Sequence, residues 1–136
     1  AYEKYEYKVG CPPSGPLACL LFCMPTAPAS QPKTVIISHA IAVLSALCAV
    51  AVHDFIPVLD VPKPVVGLVL SILAMKLAKA INPPAAAYAA ALSGSGTTFG
   101  AVLTGPGTLG AVVLIVVQQV YFKITDTISG TKAKKA

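Results

Sequence analysis

The chain contains no arginine and no tryptophan, and it has little charge of any kind. Only 11% of its 136 residues are charged, whereas 56% are hydrophobic and the mean hydropathy is +0.78. An average soluble domain has about 25% charged residues. So little charge excludes a disordered chain, a nucleic-acid-binding surface and a typical cytosolic enzyme. The length allows one domain, and we predict a small protein that lies mostly inside a lipid bilayer.

The ten cations are all lysines, against five acidic residues. Most of them stand singly at the ends of apolar runs, apart from the closing "TKAKKA". A nucleic-acid binder concentrates its cations on one exposed face. The pattern therefore predicts contacts with the headgroups of membrane lipids and no nucleic-acid partner.

The four cysteines do not form a redox or zinc motif. Cys11, Cys19, Cys23 and Cys48 include no C-x-x-C pair, and no histidine or acidic ligand accompanies them at metal-site spacing. We expect them to act as small apolar side chains in the interior. No metal site is predicted.

The N-terminal third divides into an arm, a short helix and a loop. Residues 1–10 alternate tyrosine with glutamate and lysine, and we expect a polar arm at the membrane interface. Residues 13–24 have an apolar core much shorter than the bilayer, which predicts a half-helix begun by prolines. Residues 25–33 form a loop interrupted by prolines.

Four later segments are candidate membrane crossings, namely residues 34–53, 64–81, 83–104 and 108–122. The third is interrupted by "SGSG" and is expected to be helical in its first half. The fold predicted is thus an all-α bundle of about four transmembrane helices with one or two half-helices. Four crossings place Lys33, Lys76, Lys79, Lys123 and the lysines of the C-terminal tail on one side and leave only Lys63 on the other. The positive-inside rule favours the lysine-rich side as cytosolic or stromal.

We therefore divide the chain into the arm at 1–10, a transmembrane domain at 11–124 and a polar, mobile, lysine-rich tail at 125–136. Small residues four apart predict close helix packing, inside the bundle or between subunits. The pairs are Gly67 with Ser71, Ala74 with Ala78, and Gly96 with Gly100.

Two segments that begin with Pro-Pro resemble an internal repeat: "PPSGPLACLLF" at 12–22 and "PPAAAYAAALS" at 83–93. The N-termini of paired half-helices hold anions in some transporters, because free N–H groups and the positive dipole end meet there. An accidental duplication of proline-started helices is the alternative.

Polar residues inside apolar segments are candidates for function by default. His53 is expected to be solvated at a helix end. His39 either forms a hydrogen bond within the bundle or contacts a ligand, an ion or a pigment magnesium. His53, Asn82 and Gln118 are further candidate pigment ligands, directly or through water. No catalytic spacing of nucleophile, base and acid occurs, so no enzyme is predicted.

Three segments resemble the HPP family of integral membrane proteins: "PLACLLFCMPTAPASQPKTVIISHAIAVLSA", "LAMKLAKAINPPAAAYAAAL" and "GPGTLGAVVLIVVQQVYFKI". The Gln-Pro-basic loop and the early histidine of the next helix match best. The motif histidine of the family is Asn82 here, the glycine that usually follows the two prolines is Ala85, and the basic residue is Lys33 instead of arginine.

The resemblance implies a membrane transporter, with plastid members linked to nitrite. It implies that the family site would be formed by Gln31, Lys33, His39, Asn82, Pro83 and Pro84. Asparagine cannot titrate as histidine does, and lysine lacks the bidentate fork of arginine.

Two functions follow as hypotheses. The first is an accessory or structural subunit of a larger plastid photosynthetic membrane complex, in the thylakoid or envelope, in contact with chlorophyll or carotenoid, with lipids and with other membrane subunits. The second is transport of a small anion such as nitrite. The missing motif histidine, the small number of helices and the polar termini favour the first.

Overall fold

A computed structural model describes residues 14–55, 61–94 and 106–133. Five α-helices form this part of the chain: α1 (Ser14–Cys23), α2 (Pro32–Phe55), α3 (Lys63–Leu77), α4 (Pro83–Gly94) and α5 (Pro106–Ala133). A short 3-10 turn, Pro28–Ser30, joins α1 to α2. The arm at 1–10, Pro13, Gly96 and Gly100 lie outside the described residues. So does the second half of the "SGSG" interruption, whereas its first half, Ser93 and Gly94, forms the end of α4.

Proline marks the start of the helices. It is the first residue of α2, α4 and α5 and the second residue of α3. The fixed φ of proline suits the first helical turn, and the N–H that proline lacks would have no partner there. At the other end of α3, Lys79 has a φ of 53°. The N–H of Ala80 donates to the carbonyl of Met75, which closes the helix in the left-handed conformation that favours glycine.

The expectation of about four transmembrane helices is confirmed only in part. Within the described ranges, two segments are long and apolar enough to cross a membrane, Pro32–His53 and Thr108–Ile128. The helix predicted at 64–81 is α3, which ends at Leu77 and spans about 22 Å at 1.5 Å per residue. The helix predicted at 108–122 continues to Ala133 as α5. The segment 125–133, predicted as a mobile tail, is therefore helical.

The interior of the bundle is built from small residues. Helices α2, α3 and α4 pack around buried alanines and serines, with Met75, Tyr88 and Leu92 as the large members. A Cβ placed on Gly67 of α3 would lie 2.5 Å from the Ser93 hydroxyl and 3.2 Å from the Ala89 carbonyl of α4. Ser71, one turn further along α3, is fully buried. Gly67 thus allows the two backbones to approach closely.

Large apolar side chains cover the outside. The bundle exposes valines, leucines and isoleucines on α2, α3 and above all α5. Cys19, Cys23 and Cys48 are also exposed, so the expectation of interior cysteines is wrong for these three. Inside a bilayer, lipid tails cover the exposed apolar side chains. Close contact between helices, in contrast, requires small residues.

Candidate functional site

The first candidate site is a polar seam, which we define as Ser30, Asn82 and Gln118 with the backbone groups that they bind. It lies where α1 ends and where α2 and α4 begin. The buried Ser30 hydroxyl is 3.0 Å from the carbonyl oxygen of Leu20 and 2.5 Å from that of Met24. A hydroxyl donates one hydrogen bond, so it serves one of these carbonyls at a time. Ser30 thus ties the loop to the C-terminal end of α1.

Asn82 connects this loop to α4. Its side chain is fully buried, and its Nδ2 donates to the Ala29 carbonyl across 3.3 Å. Its Oδ1 accepts from the N–H of Ala85 at 3.4 Å, and its main-chain carbonyl accepts from the N–H groups of both Ala85 and Ala86. Asn82 is therefore the N-cap of α4.

The N-terminus of α4 has no N–H left for a ligand. Pro83 and Pro84 carry no N–H, and the next two N–H groups donate to Asn82. An anion bound at a helix N-terminus needs unpaired N–H groups that point towards it. At α4, those groups are either missing or already satisfied within the chain.

Gln118 joins the seam from α5. Its Nε2 donates to the Leu21 carbonyl across 2.9 Å, at the end of α1. The side chain is only 3% exposed, and its buried Oε1 has no hydrogen-bond partner among the described residues. One turn further on, the rings of Tyr121 and Phe22 meet edge to face with centroids 5.9 Å apart. Helices α1 and α5 therefore run side by side in the same direction.

The second candidate site surrounds His39 in α2. Its Nδ1 lies 2.8 Å from the Val35 carbonyl, so Nδ1 carries a proton and, in the neutral ring, Nε2 is the acceptor. The imidazole lies beside Tyr88 of α4, with ring centroids 5.9 Å apart. The Tyr88 hydroxyl and the Thr108 hydroxyl of α5 are 3.1 Å apart. These contacts connect three helices at one level of the bundle.

An apolar groove of about 390 Å³ opens between α2 and α5 at this level. Its walls are aliphatic except for the imidazole of His39 and the hydroxyl of Thr108. They are formed mainly by Val35, Ile36, Val43, Leu44, Ala111 and Ile115. Such a groove fits a largely apolar ligand that binds the protein through a single polar or metal atom.

The remaining residues predicted for the family site do not join a common pocket. Gln31 and Lys33 are exposed, and the Gln31 amide makes only a 3.4 Å contact with the Pro25 carbonyl. Pro83 is exposed, whereas Pro84 is buried in the first turn of α4. His53 is half-buried in the last turn of α2, about 21 Å along the helix from His39.

Sequence reasoning missed Ser30, Tyr88 and Thr108. Tyr88 stands alone among the alanines of α4, a position where only a specific contact explains a large ring, so the sequence contained a signal. Ser30 looked like an ordinary loop residue. In the described part of the chain, no group of three His, Cys, Asp or Glu residues is placed to hold a metal ion.

Comparison of the chain with curated proteins and with solved structures found no match. One family model does match, that of the HPP transmembrane region, and it covers residues 2–129. This range includes both candidate sites and all five helices except the last residues of α5. The chain is therefore an integral membrane protein that belongs to the HPP transmembrane family.

Proposed function

We propose that this chain is a non-enzymatic accessory subunit of a larger membrane complex. The observation that supports this most is the state of its interior polar groups. Asn82 and Ser30 bind backbone groups of the chain itself, and the first N–H groups of α4 are all paired or absent. These contacts hold two short helices and a loop in place, which is the task of a structural element.

The outer surface gives independent support. Helix α5 exposes apolar side chains along most of its described length, and only 17% of its candidate span is buried within the chain. The exposed members are Leu109, Val112, Val113, Val116, Val117, Val120, Tyr121, Ile124 and Ile128. Neighbouring subunits and lipid are the two environments that can cover the part of this helix that lies inside a membrane.

More specifically, we propose that the larger complex is a photosynthetic complex of the plastid. The family resemblance is the basis of this proposal, together with the groove at His39. A neutral imidazole whose Nδ1 is held by a backbone carbonyl offers Nε2 as a ligand, which is the arrangement that metal-binding histidines use. The magnesium of a chlorophyll would be held by His39, and carotenoid or lipid chains would occupy the aliphatic part of the groove.

Isolation of the tagged chain from its source membrane in mild detergent tests the proposal. We expect it to migrate on native gels with other subunits in a fixed ratio, well above the mass of its own oligomers. Recovery of only a free monomer or homo-oligomer would overturn the subunit role.

Pigment binding has its own readout in the same preparation. His39→Leu should lower the pigment absorbance recovered with the complex, whereas His53→Leu, at the far end of α2, should leave it unchanged. Equal absorbance in the two variants would remove His39 as a pigment ligand.

Small-anion transport is the second candidate. The observation in its favour is that Lys33, Lys76 and Lys79 are exposed on the segments that meet around the polar seam. Purified protein in liposomes should then move nitrite, and Lys33→Ala should slow the flux at least tenfold. Lys63→Ala, at the start of α3 and the opposite end of the bundle, is the matched control. Flux that depends on Lys33 alone would favour transport over the subunit role.

A further inference from the structure

The C-terminal part of α5 extends beyond the rest of the bundle. Gln118 lies beside Leu21, and α1 ends two residues later at Cys23. From Gln119 to Ile128, every side chain is exposed except the half-buried Phe122. We call Gln119–Ala133 the α5 extension. Its fifteen residues correspond to about 22 Å of helix at 1.5 Å per residue.

Lysines and a tyrosine mark the membrane edge at the start of this extension. Lys33 follows Ser30 closely in the chain, and Lys79 lies three residues before Asn82, so both are near the polar seam. Tyr121 and Lys123 of α5 follow Gln118 within about a turn and a half. Length and composition alone would allow the span to continue to Ile128. That placement would bury the lysines around the seam in hydrocarbon, which is costly.

The extension keeps an apolar row outside this edge. Val120, Ile124 and Ile128 are four residues apart and 52–56% exposed, and with Lys123 and Thr127 they line a shallow groove of about 330 Å³. Four-residue spacing places side chains on one helix face. An apolar row outside the hydrocarbon needs a cover of its own.

The direction of the helix disfavours the membrane surface as that cover. α5 is one continuous helix, and it contains no proline or glycine between Ala111 and Ser129 that would bend it. The extension therefore continues the axis of the membrane-embedded part. A helix that lies on a membrane has its axis in the plane of the interface.

The charge of this segment distinguishes between two kinds of protein partner, a second copy of the chain and a different subunit. The segment 119–136 contains four lysines and one aspartate. A second copy in the same membrane orientation would bring these lysines together, and like charges oppose such pairing. We propose, as a refinement that rests on the subunit role, that the α5 extension docks on an acidic partner subunit, with Val120, Ile124 and Ile128 against an apolar strip flanked by Asp or Glu.

The test compares two variants with a control in the isolated complex. Ile124→Gln/Ile128→Gln removes the apolar row without changing charge. Lys132→Glu/Lys134→Glu/Lys135→Glu reverses the charge. The control is Gln119→Glu, which adds one negative charge on the side of the helix away from the row. Each of the two variants should lower the recovered partner at least tenfold, and the control should lower it less than twofold.

Two further measurements identify the occupant. A photoreactive leucine analogue at position 124 should cross-link to an extramembrane segment of the partner that is rich in Asp and Glu, and salt at about 0.5 M should reduce the yield because it screens charge. Cross-linking to a second copy, or protection of residues 119–133 from protease by protein-free vesicles of anionic phospholipid, would overturn the inference.

The outcomes separate the two proposals. If the wild-type chain brings down a complex and both variants retain it fully, the docking surface is wrong while the subunit role stands. If the wild-type chain brings down no other subunit, both proposals fail. Because the extension lies outside the bundle, the thermal midpoint of each variant in detergent should equal that of the wild type, and a lowered midpoint with unchanged partner recovery also counts against the inference.

Discussion

Helices α4 and α5 differ in how much of their surface is buried within the protein. α4 is short and rich in alanine, and seven of its twelve residues are buried against its neighbours. α5 is more than twice as long and rich in valine and isoleucine, and it is mostly exposed. Leaving lipid gives an apolar side chain little free energy, so close backbone approach and hydrogen bonds decide which helix is interior. The helix with the larger aliphatic side chains is consequently the outer one.

The largest test of this contrast replaces the glycine at the α3–α4 contact. Gly67→Ala should destabilise the protein by about 1–3 kcal/mol, because the added methyl group overlaps Ser93 and the Ala89 carbonyl. A methyl group added at Gly15 of α1 would meet no atom within 4 Å, so Gly15→Ala should be neutral or stabilising by up to about 1 kcal/mol. Thermal unfolding in detergent measures both, and equal shifts would contradict the packing argument.

The second test removes the link between α4 and the loop. Asn82→Ala should cost about 2 kcal/mol, since it removes a helix cap and a buried hydrogen bond to the Ala29 carbonyl. Asn82→Ser keeps a capping oxygen but cannot reach Ala29, and should cost about half as much. Denaturant titration in detergent gives the two values, and an equal loss in both variants would show that the cap contributes nothing.

A smaller effect is expected for the hydrogen bond that holds α5. Gln118→Leu should cost about 0.6 kcal/mol, the average that double-mutant cycles give for hydrogen bonds between membrane helices. The loss is limited because the substitution also removes the unpartnered Oε1. Gln119→Leu, at the exposed neighbouring position, is the control. A cost above that of Asn82→Ala would mean that α5 depends on its Gln118 contact more than α4 depends on its Asn82 contact.

The smallest effect should come from the end of α3. Lys79→Gly should stabilise the protein by about 0.5 kcal/mol, because glycine adopts the left-handed backbone at φ 53° without the penalty of a side chain, and this gain exceeds the entropy that glycine adds to the unfolded chain. Lys76→Gly, in the last turn of the helix, should destabilise it by about 0.5 kcal/mol, less than the penalty of about 1 kcal/mol in a helix interior. Shifts of opposite sign in the thermal unfolding midpoints of the two variants would support this contrast, and shifts of the same sign would contradict it.

The all-α membrane fold and the long α2 follow directly from the sequence, because an uncharged apolar run has few other structures in lipid. The extent of α5 does not, since Thr125, Asp126 and Thr127 look like a polar tail. These residues are helical nonetheless, and the Thr125 and Thr127 hydroxyls bind carbonyls one turn earlier. Polarity indicates where a helix leaves the hydrocarbon and does not show where it ends.

The sequence predicted several residues of the candidate sites, but it did not predict the groups that these residues contact. Asn82, His39 and Gln118 are polar positions in apolar sequence, and that contrast is visible in one chain. Their partners are mostly backbone carbonyls, at Ala29, Val35 and Leu21. Every residue has a carbonyl, so no sequence pattern distinguishes the ones that are bound. Only the arrangement of α1, the loop and α4 brings them within reach.

The shortness of α4 also constrains how the protein is made. Its twelve described residues, half of them alanine, are fewer than the roughly twenty that a bilayer crossing needs. α2 has both the length and the hydropathy to be inserted as it leaves the ribosome. α4 must therefore enter with α3, or after it, once Asn82 can reach the loop ahead of α2. Biogenesis would then have two stages, and a chain with a faulty Asn82 would be inserted but left open to membrane quality control.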